Sequence, residues 1–176
     1  MSLPFQPYWL AAAAPLLLAA CGNMPPPSAP PSQRQPLPVL RSYRVEHVVN
    51  FSTGDMAGVV SDILRPSGGW SWTRKRPSVR VRLRGGFPVR YGIDFAVAEA
   101  TFAQTGPVNV TFFVNDHPLE TVRYAVPGPQ LYEKPVPPEW LKSENIIGAE
   151  VDKLWTSPGD GAQLGLILNS IGLTEQ

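Results

Sequence analysis

The strongest constraint on this chain is a period-two alternation of apolar and polar residues that recurs between turns. Val79, Val81 and Leu83 alternate with Arg80, Arg82 and Arg84. Tyr91, Ile93, Phe95 and Val97 alternate with Gly92, Asp94, Ala96 and Ala98, and Val108, Val110, Phe112 and Val114 alternate with Asn109, Thr111 and Phe113. Tyr43 to Phe51 shows the same pattern through Val45, His47 and Val49. Each run is the signature of a strand with one buried face. Gly85-Gly86, Gly106-Pro107 and Ser157-Pro158-Gly159-Asp160-Gly161 supply the breaks, and Asn115-Asp116 before His117-Pro118 predicts a hairpin. Leu164 to Leu173 is apolar on both faces, as a central strand is. Short strands joined by Gly/Pro turns predict an all-β fold, an antiparallel β-sandwich with a small barrel as the alternative. One short helix is expected over Asp55 to Leu64, where Met56, Val59, Val60, Ile63 and Leu64 stand at near-helical spacing, and one turn over Pro137 to Leu141.

Composition sharpens this. Only 16% of the 176 residues are charged and 21 are proline, which excludes coiled coils and helical repeats. The net charge of +1 gives no global field for nucleic acid, so no nucleic-acid partner is expected. The single cysteine, Cys21, ends an apolar run from Leu10 to Ala20 within Leu18-Ala19-Ala20-Cys21-Gly22. This segment resembles a bacterial lipoprotein signal with its lipobox. The resemblance implies removal of residues 1–20, lipidation of Cys21, and a membrane partner through that anchor. Gly22 after the cysteine implies the periplasmic face of the outer membrane. Residues 21–40 carry the lipidated cysteine and seven prolines, Pro25, Pro26, Pro27, Pro30, Pro31, Pro36 and Pro38. Such a segment reads as an extended spacer at ~3.1 Å per residue. Residues 41–176 then form the folded domain.

The domain carries no G-x-S-x-G, no phosphate-binding loop and no dinucleotide fingerprint. His47, on the apolar face of a strand, reads as a core or edge histidine, and His117 as a turn residue. Asp94, Glu99, Glu133, Glu139, Asp152 and Asp160 are scattered, and their spacing selects no hydrolytic pair. We therefore expect a protein that is not an enzyme, with no cofactor and no metal. Asp160 between glycines reads as a turn cap, with a structural Ca²⁺ ligand as the alternative. Trp70 and Trp72, followed by Arg74, Lys75 and Arg76 in an expected loop, are the sharper signal. Indole faces stack on the C–H faces of sugar rings while polar neighbours orient the hydroxyls. Trp70 reads as core or rim and Trp72 as the exposed candidate. Tyr132, Trp140 and Trp155 add aromatics in expected C-terminal loops. Arg80, Arg82 and Arg84 form a basic row, either a solvated face or a contact for an acidic partner.

Three motifs together carry a further resemblance: Gly69-Trp70-Ser71-Trp72-Thr73, then Phe112 to Leu119 with Asp116 where the related hairpin has Gly, then Ser157 to Leu166 leading into the last strand. In this order they are similar to the galactose-binding-like jelly-roll domains that accompany polysaccharide enzymes. The resemblance implies a jelly-roll sandwich and a carbohydrate-related role. The expected partners are thus a glycan, or alternatively a protein of a cell-envelope complex.

Overall fold

The computed structural model describes residues 46–84 and 88–175 of the chain. Cys21, the expected leader and the proline-rich spacer lie outside the described residues. The folded part is an antiparallel β-sandwich with one short helix. Its strands are β1 (Glu46–Asn50), β2 (Val59–Ile63), β3 (Ser71–Arg82), β4 (Val89–Val97), β5 (Val108–Val114) and β6 (His117–Tyr124). They continue as β7 (Gly128–Val136), β8 (Glu144–Val151), β9 (Trp155–Thr156), β10 (Gln163–Leu164) and β11 (Ile167–Glu175). The helix α1 spans Glu99–Thr105.

One layer runs β1-β11-β4-β7 and the other β2-β3-β8-β5-β6, every pair antiparallel. The strand β3 belongs to both. Ser71 and Trp72 pair with β11, and Ser78 to Arg82 pair with β8. Pro77 stands where the strand changes partners, a place where the missing N–H interrupts no continuous ladder. The Arg76 N–H just before it donates to Asp62 Oδ2 at 2.8 Å. The other strand prolines sit on the outermost strands of the layers, Pro118 on β6 and Pro129 and Pro135 on β7. There they interrupt no interior ladder and blunt strand addition.

The alternation seen in the sequence is the alternation of the core. Tyr91, Ile93, Phe95 and Val97 are buried from one layer, and Val108, Val110, Phe112 and Val114 from the other. The layers meet through rings. Phe112 stacks on Tyr132 with centroids 3.8 Å apart, and the Tyr91 hydroxyl donates across the gap to the Gly148 carbonyl at 2.9 Å. The strand over Leu164 to Leu173 is central as expected, since β11 pairs with β1, β3 and β4.

Three expectations are corrected. Residues 55–64 are not helical: Gly58 adopts φ 91° and Asp62 φ 57°, and residues 59–63 form the bulged strand β2 against β3. The near-helical spacing there reflects a strand whose register shifts twice. The helix lies instead at Glu99–Thr105, a single short segment with no side-chain cap at Ala98, closed by Gly106 at φ 66°. Arg74-Lys75-Arg76 is not a loop but the middle of β3.

The expected hairpin joins β5 and β6 through Asn115 and Asp116. Asn115 alone takes the left-handed conformation, φ 55°, which explains how the turn closes with Asp at the second position. Asn115 Nδ2 donates to the Trp140 carbonyl (2.7 Å) and to Asn145 Oδ1 (3.1 Å), and Asn115 Oδ1 accepts from the Ile146 N–H (3.0 Å). Asn115→Ala is expected to cost about 2 kcal/mol, because it strands these groups and forces a Cβ-bearing residue without a polar side chain into φ > 0. Asn115→Gly restores the backbone share only. Urea unfolding of the two variants measures the difference.

Candidate functional site

Sequence reasoning places its best candidates at one end of β3, and the structure gathers an aromatic array there. Two glycines in left-handed conformations, Gly68 (φ 69°) and Gly69 (φ 94°), make the turn that lets the Ser67 N–H reach the Trp70 carbonyl at 2.8 Å. This turn sets Trp70 edge-on to Trp72, with centroids 6.1 Å apart and planes at 86°. Ser71 and Thr73 point into the core, so strand pleating turns Trp72 outward. Trp72 in turn stacks on Trp155 of β9, at 5.9 Å and 24°. All three indoles are half-buried.

Trp155 is held by parts of the chain that carry no aromatic signal. The β9–β10 hairpin closes through Asp160, whose carboxylate accepts from the Ala162 N–H at 3.1 Å. Hydrogen bonds from Ser157 and Ala162 hold that carboxyl below its ordinary value, as a turn cap requires. The Gln104 side chain of α1 accepts from the Thr156 N–H at 3.0 Å, tying the hairpin to the helix. Among the described residues, no cluster of His, Asp and Glu forms that could hold a metal ion.

Beside the array runs a groove of about 460 Å³ lined by Asp62, Leu64, Arg74, Lys75, Leu154 and Gln163, among others. None of the three indoles lines the groove, but Leu64, whose N–H donates to the Trp72 carbonyl (2.9 Å), and Leu154, next to Trp155 in the chain, do. Arg74, on the same face of β3 as Trp72, is exposed. Lys75 and Arg76 each stand 3.8 Å from Glu150, whereas Arg74 has no carboxylate within 4.0 Å among the described residues. Its guanidinium is therefore, among the described residues, a donor without an ionic partner beside the indoles.

The remaining sequence candidates do not join this site. Tyr132 is on β7, not in a loop, and is 9% exposed. Its hydroxyl donates to Glu120 Oε2 at 2.9 Å, and Lys134 Nζ donates to the same oxygen at 2.9 Å. Burial first, and the bond to Glu120 second, push the Tyr132 hydroxyl up; the bonds from Lys134 and Tyr132 hold the Glu120 carboxyl down. Trp140 lies in the 3₁₀ turn Pro138–Trp140, stacked on His117 at 4.9 Å and 17°. That pair adjoins the β5–β6 hairpin, whose Val114 pairs with Ile147, the partner of Val79. Val79 is seven residues along β3 from Trp72, about 23 Å. Trp140 thus occupies the other end of the sandwich.

Arg80 and Arg82 do project from one face of β3, but Glu144 on β8 lies 3.3 Å and 3.1 Å from them and meets both charges. Arg84 follows β3, and its N–H donates to Glu175 Oε1 at 3.3 Å. Across the strand, Arg76 covers the Phe113 ring at 4.6 Å. His47 is half-buried on β1, but it is not the satisfied histidine the sequence suggests: its Nε2, 3.5 Å from Glu175 Oε1, makes no hydrogen bond among the described residues. What the sequence missed is Trp155 as the direct partner of Trp72. A lone tryptophan in a two-residue strand has no periodicity to announce its facing, and the only signal was the turn that follows it.

No protein-family model matches the chain, and no curated protein matches it. Many solved structures are similar to it, two of them as follows. One is a family GH115 4-O-methyl-α-glucuronidase with specificity for decorated arabinogalactans, at 11% identity and a TM-score of 0.42; the match covers 73% of this chain and 17% of that one. The other is a family 35 carbohydrate binding module from Clostridium thermocellum, at 9% identity and a TM-score of 0.41, covering 75% of this chain and 98% of that one.

Proposed function

We propose that this protein is a non-catalytic carbohydrate-binding lipoprotein, its β-sandwich held to a bacterial envelope, at the periplasmic face of the outer membrane, by a lipid on Cys21. The observation that carries the binding reading is the Trp70–Trp72–Trp155 array with the groove and Arg74 beside it. Three half-exposed indoles offer apolar faces to the C–H side of a sugar ring, and Arg74, Asp62 and Gln163 offer donors and acceptors to its hydroxyls. The anchoring reading rests on the apolar run into Leu18-Ala19-Ala20-Cys21 and on the proline-rich spacer that follows.

Titration of intrinsic tryptophan fluorescence with envelope polysaccharide fragments tests the site. Trp72→Ala is expected to weaken binding by about thirty-fold, the loss of a buried aromatic anchor worth about 2 kcal/mol. Trp140→Ala, at the opposite end, should leave the affinity unchanged. Equal effects from the two variants, or no saturable change with any fragment, would remove the reading. Detergent phase partitioning tests the anchor separately. The native protein should enter the detergent phase and Cys21→Ser should stay in the aqueous one.

A further inference from the structure

Gly92 lies in the interior of β4, a strand paired on both sides, by β11 and by β7. Glycine weakens a strand interior, and it persists where φ is positive or where something comes close. Neither reason holds within the fold. Gly92 is not among the residues of positive φ, and a Cβ built on it would meet nothing within 4 Å. Its cross-strand partner Gly172 is different: a Cβ there would stand 2.5 Å from the His47 carbonyl oxygen and 2.6 Å from Val48 Cα. The fold itself demands Gly172, whereas Gly92 keeps a space open on the outer face of the layer.

That space is the floor of a trench of about 300 Å³. In register, Val48, Gly172, Gly92 and Glu133 cross the layer in one row, and Asn50, Ser170, Asp94 and Leu131 in the next. Val48 and Leu131, 40% and 70% exposed, face the trench from β1 and β7, the strands at its two sides. Between them Ser170 and Asp94 present a hydroxyl and a carboxylate, and on the β7 side Glu133 presents a carboxylate that lies 4.0 Å from Arg90. Asp94 Oδ1 accepts from Asn169 Nδ2 at 3.1 Å, and Oδ2 carries no hydrogen bond among the described residues.

From these features we infer that the trench is a second ligand site, and that it takes an uncharged pyranose unit of a neutral glycan. The walls suit C–H faces, and the floor is rich in acceptors for hydroxyl donors. The Asp94 carboxylate on the floor disfavours an acidic sugar at that point. The main-chain groups of β4 and β11 are engaged in ladders, so the floor has no free edge for an added peptide strand. The trench is separate from the tryptophan array. Ile167 pairs with both Trp72 and Ala96, and Gly92 is four residues from Ala96, about 13 Å along β4.

The test uses the Trp72→Ala protein, so that failure of the tryptophan site and failure of the trench are read separately. Cellohexaose, laminarihexaose and β-1,4-galactohexaose are titrated into ¹⁵N-labelled protein, following the amides of Gly92, Asp94 and Ser170. At least one sugar should shift these amides saturably. Adding Gly92→Val should weaken that binding by at least about ten-fold while leaving the thermal midpoint equal or higher, since valine suits a strand and finds open space. Asp94→Asn, which fills nothing, should also weaken it. No saturable shift at these amides with any of the three sugars, or binding that survives both substitutions, would overturn the inference. A shift produced instead by an extended peptide would overturn it too.

Discussion

Phe112→Ala is expected to cost about 3–5 kcal/mol, the range for emptying the space of a fully buried ring. Phe112 is 0% exposed and belongs to β5, yet its neighbours belong to the opposite layer. It stacks on Tyr132 of β7 and packs against Tyr91 and Phe95 of β4 at 5.9 and 6.1 Å. The ring is thus a bolt between layers, and its loss opens a void at their interface, beside the Tyr91 ring whose hydroxyl bonds to Gly148. Against a total of about 5–15 kcal/mol for a domain, this moves the protein close to its unfolding threshold. Urea unfolding checks the value, with a lower midpoint at unchanged slope. A cost under about 1 kcal/mol would mean that Phe112 does not bridge the layers as described.

Gly148→Val should have an effect as large, for the opposite reason. Gly148 sits in β8 between β3 and β5, pairing with Ser78 and Phe113. A Cβ there would stand 2.5 Å from Phe113 Cζ and closer still to the Pro77 carbonyl oxygen. The Phe113 ring cannot retreat freely, because it is 6% exposed and the Arg76 guanidinium lies over it. Overpacking of a well-filled interior costs about 1–3 kcal/mol and more where backbone must move. We expect Gly148→Ala to lower the thermal midpoint sharply and Gly148→Val to yield no folded protein by circular dichroism. The contrast with Gly92→Val is the informative one. The same change in interior strands of the two opposite layers should abolish folding at one position and leave it intact at the other.

Much of this architecture is written in short-range pattern. The alternation in Tyr91 to Val97 and Val108 to Val114 names the inner face of both layers residue by residue, because burial on one side of a strand obeys a strict period. The Asn115 turn and the central position of the last strand are legible for the same local reasons. What escapes is decided by partners distant in sequence. The strand character of residues 59–63 comes from pairing with β3, and a doubly bulged register disguises it as helical spacing. The short helix after β4 has no polar cap to mark its start. Charged Arg74 to Arg76 reads as a loop because no apolar residue marks the inner face there, yet the strand runs through it. At the candidate site, Trp70 and Trp72 were identified from their neighbourhood. Trp155 was placed beside Trp72 only by folding, and the same folding carried Trp140 to the far end and Tyr132 into the interior.

The strand that serves both layers has a consequence for how the molecule opens. A sandwich whose halves share no backbone ladder can lose one half while the other persists. Here, dissolving either half strips β3 of part of its ladder, at Trp72 on one side or at Val79 on the other. The amide hydrogens of β8 and β11 should therefore exchange with solvent at one common rate set by global opening, not as two separate classes.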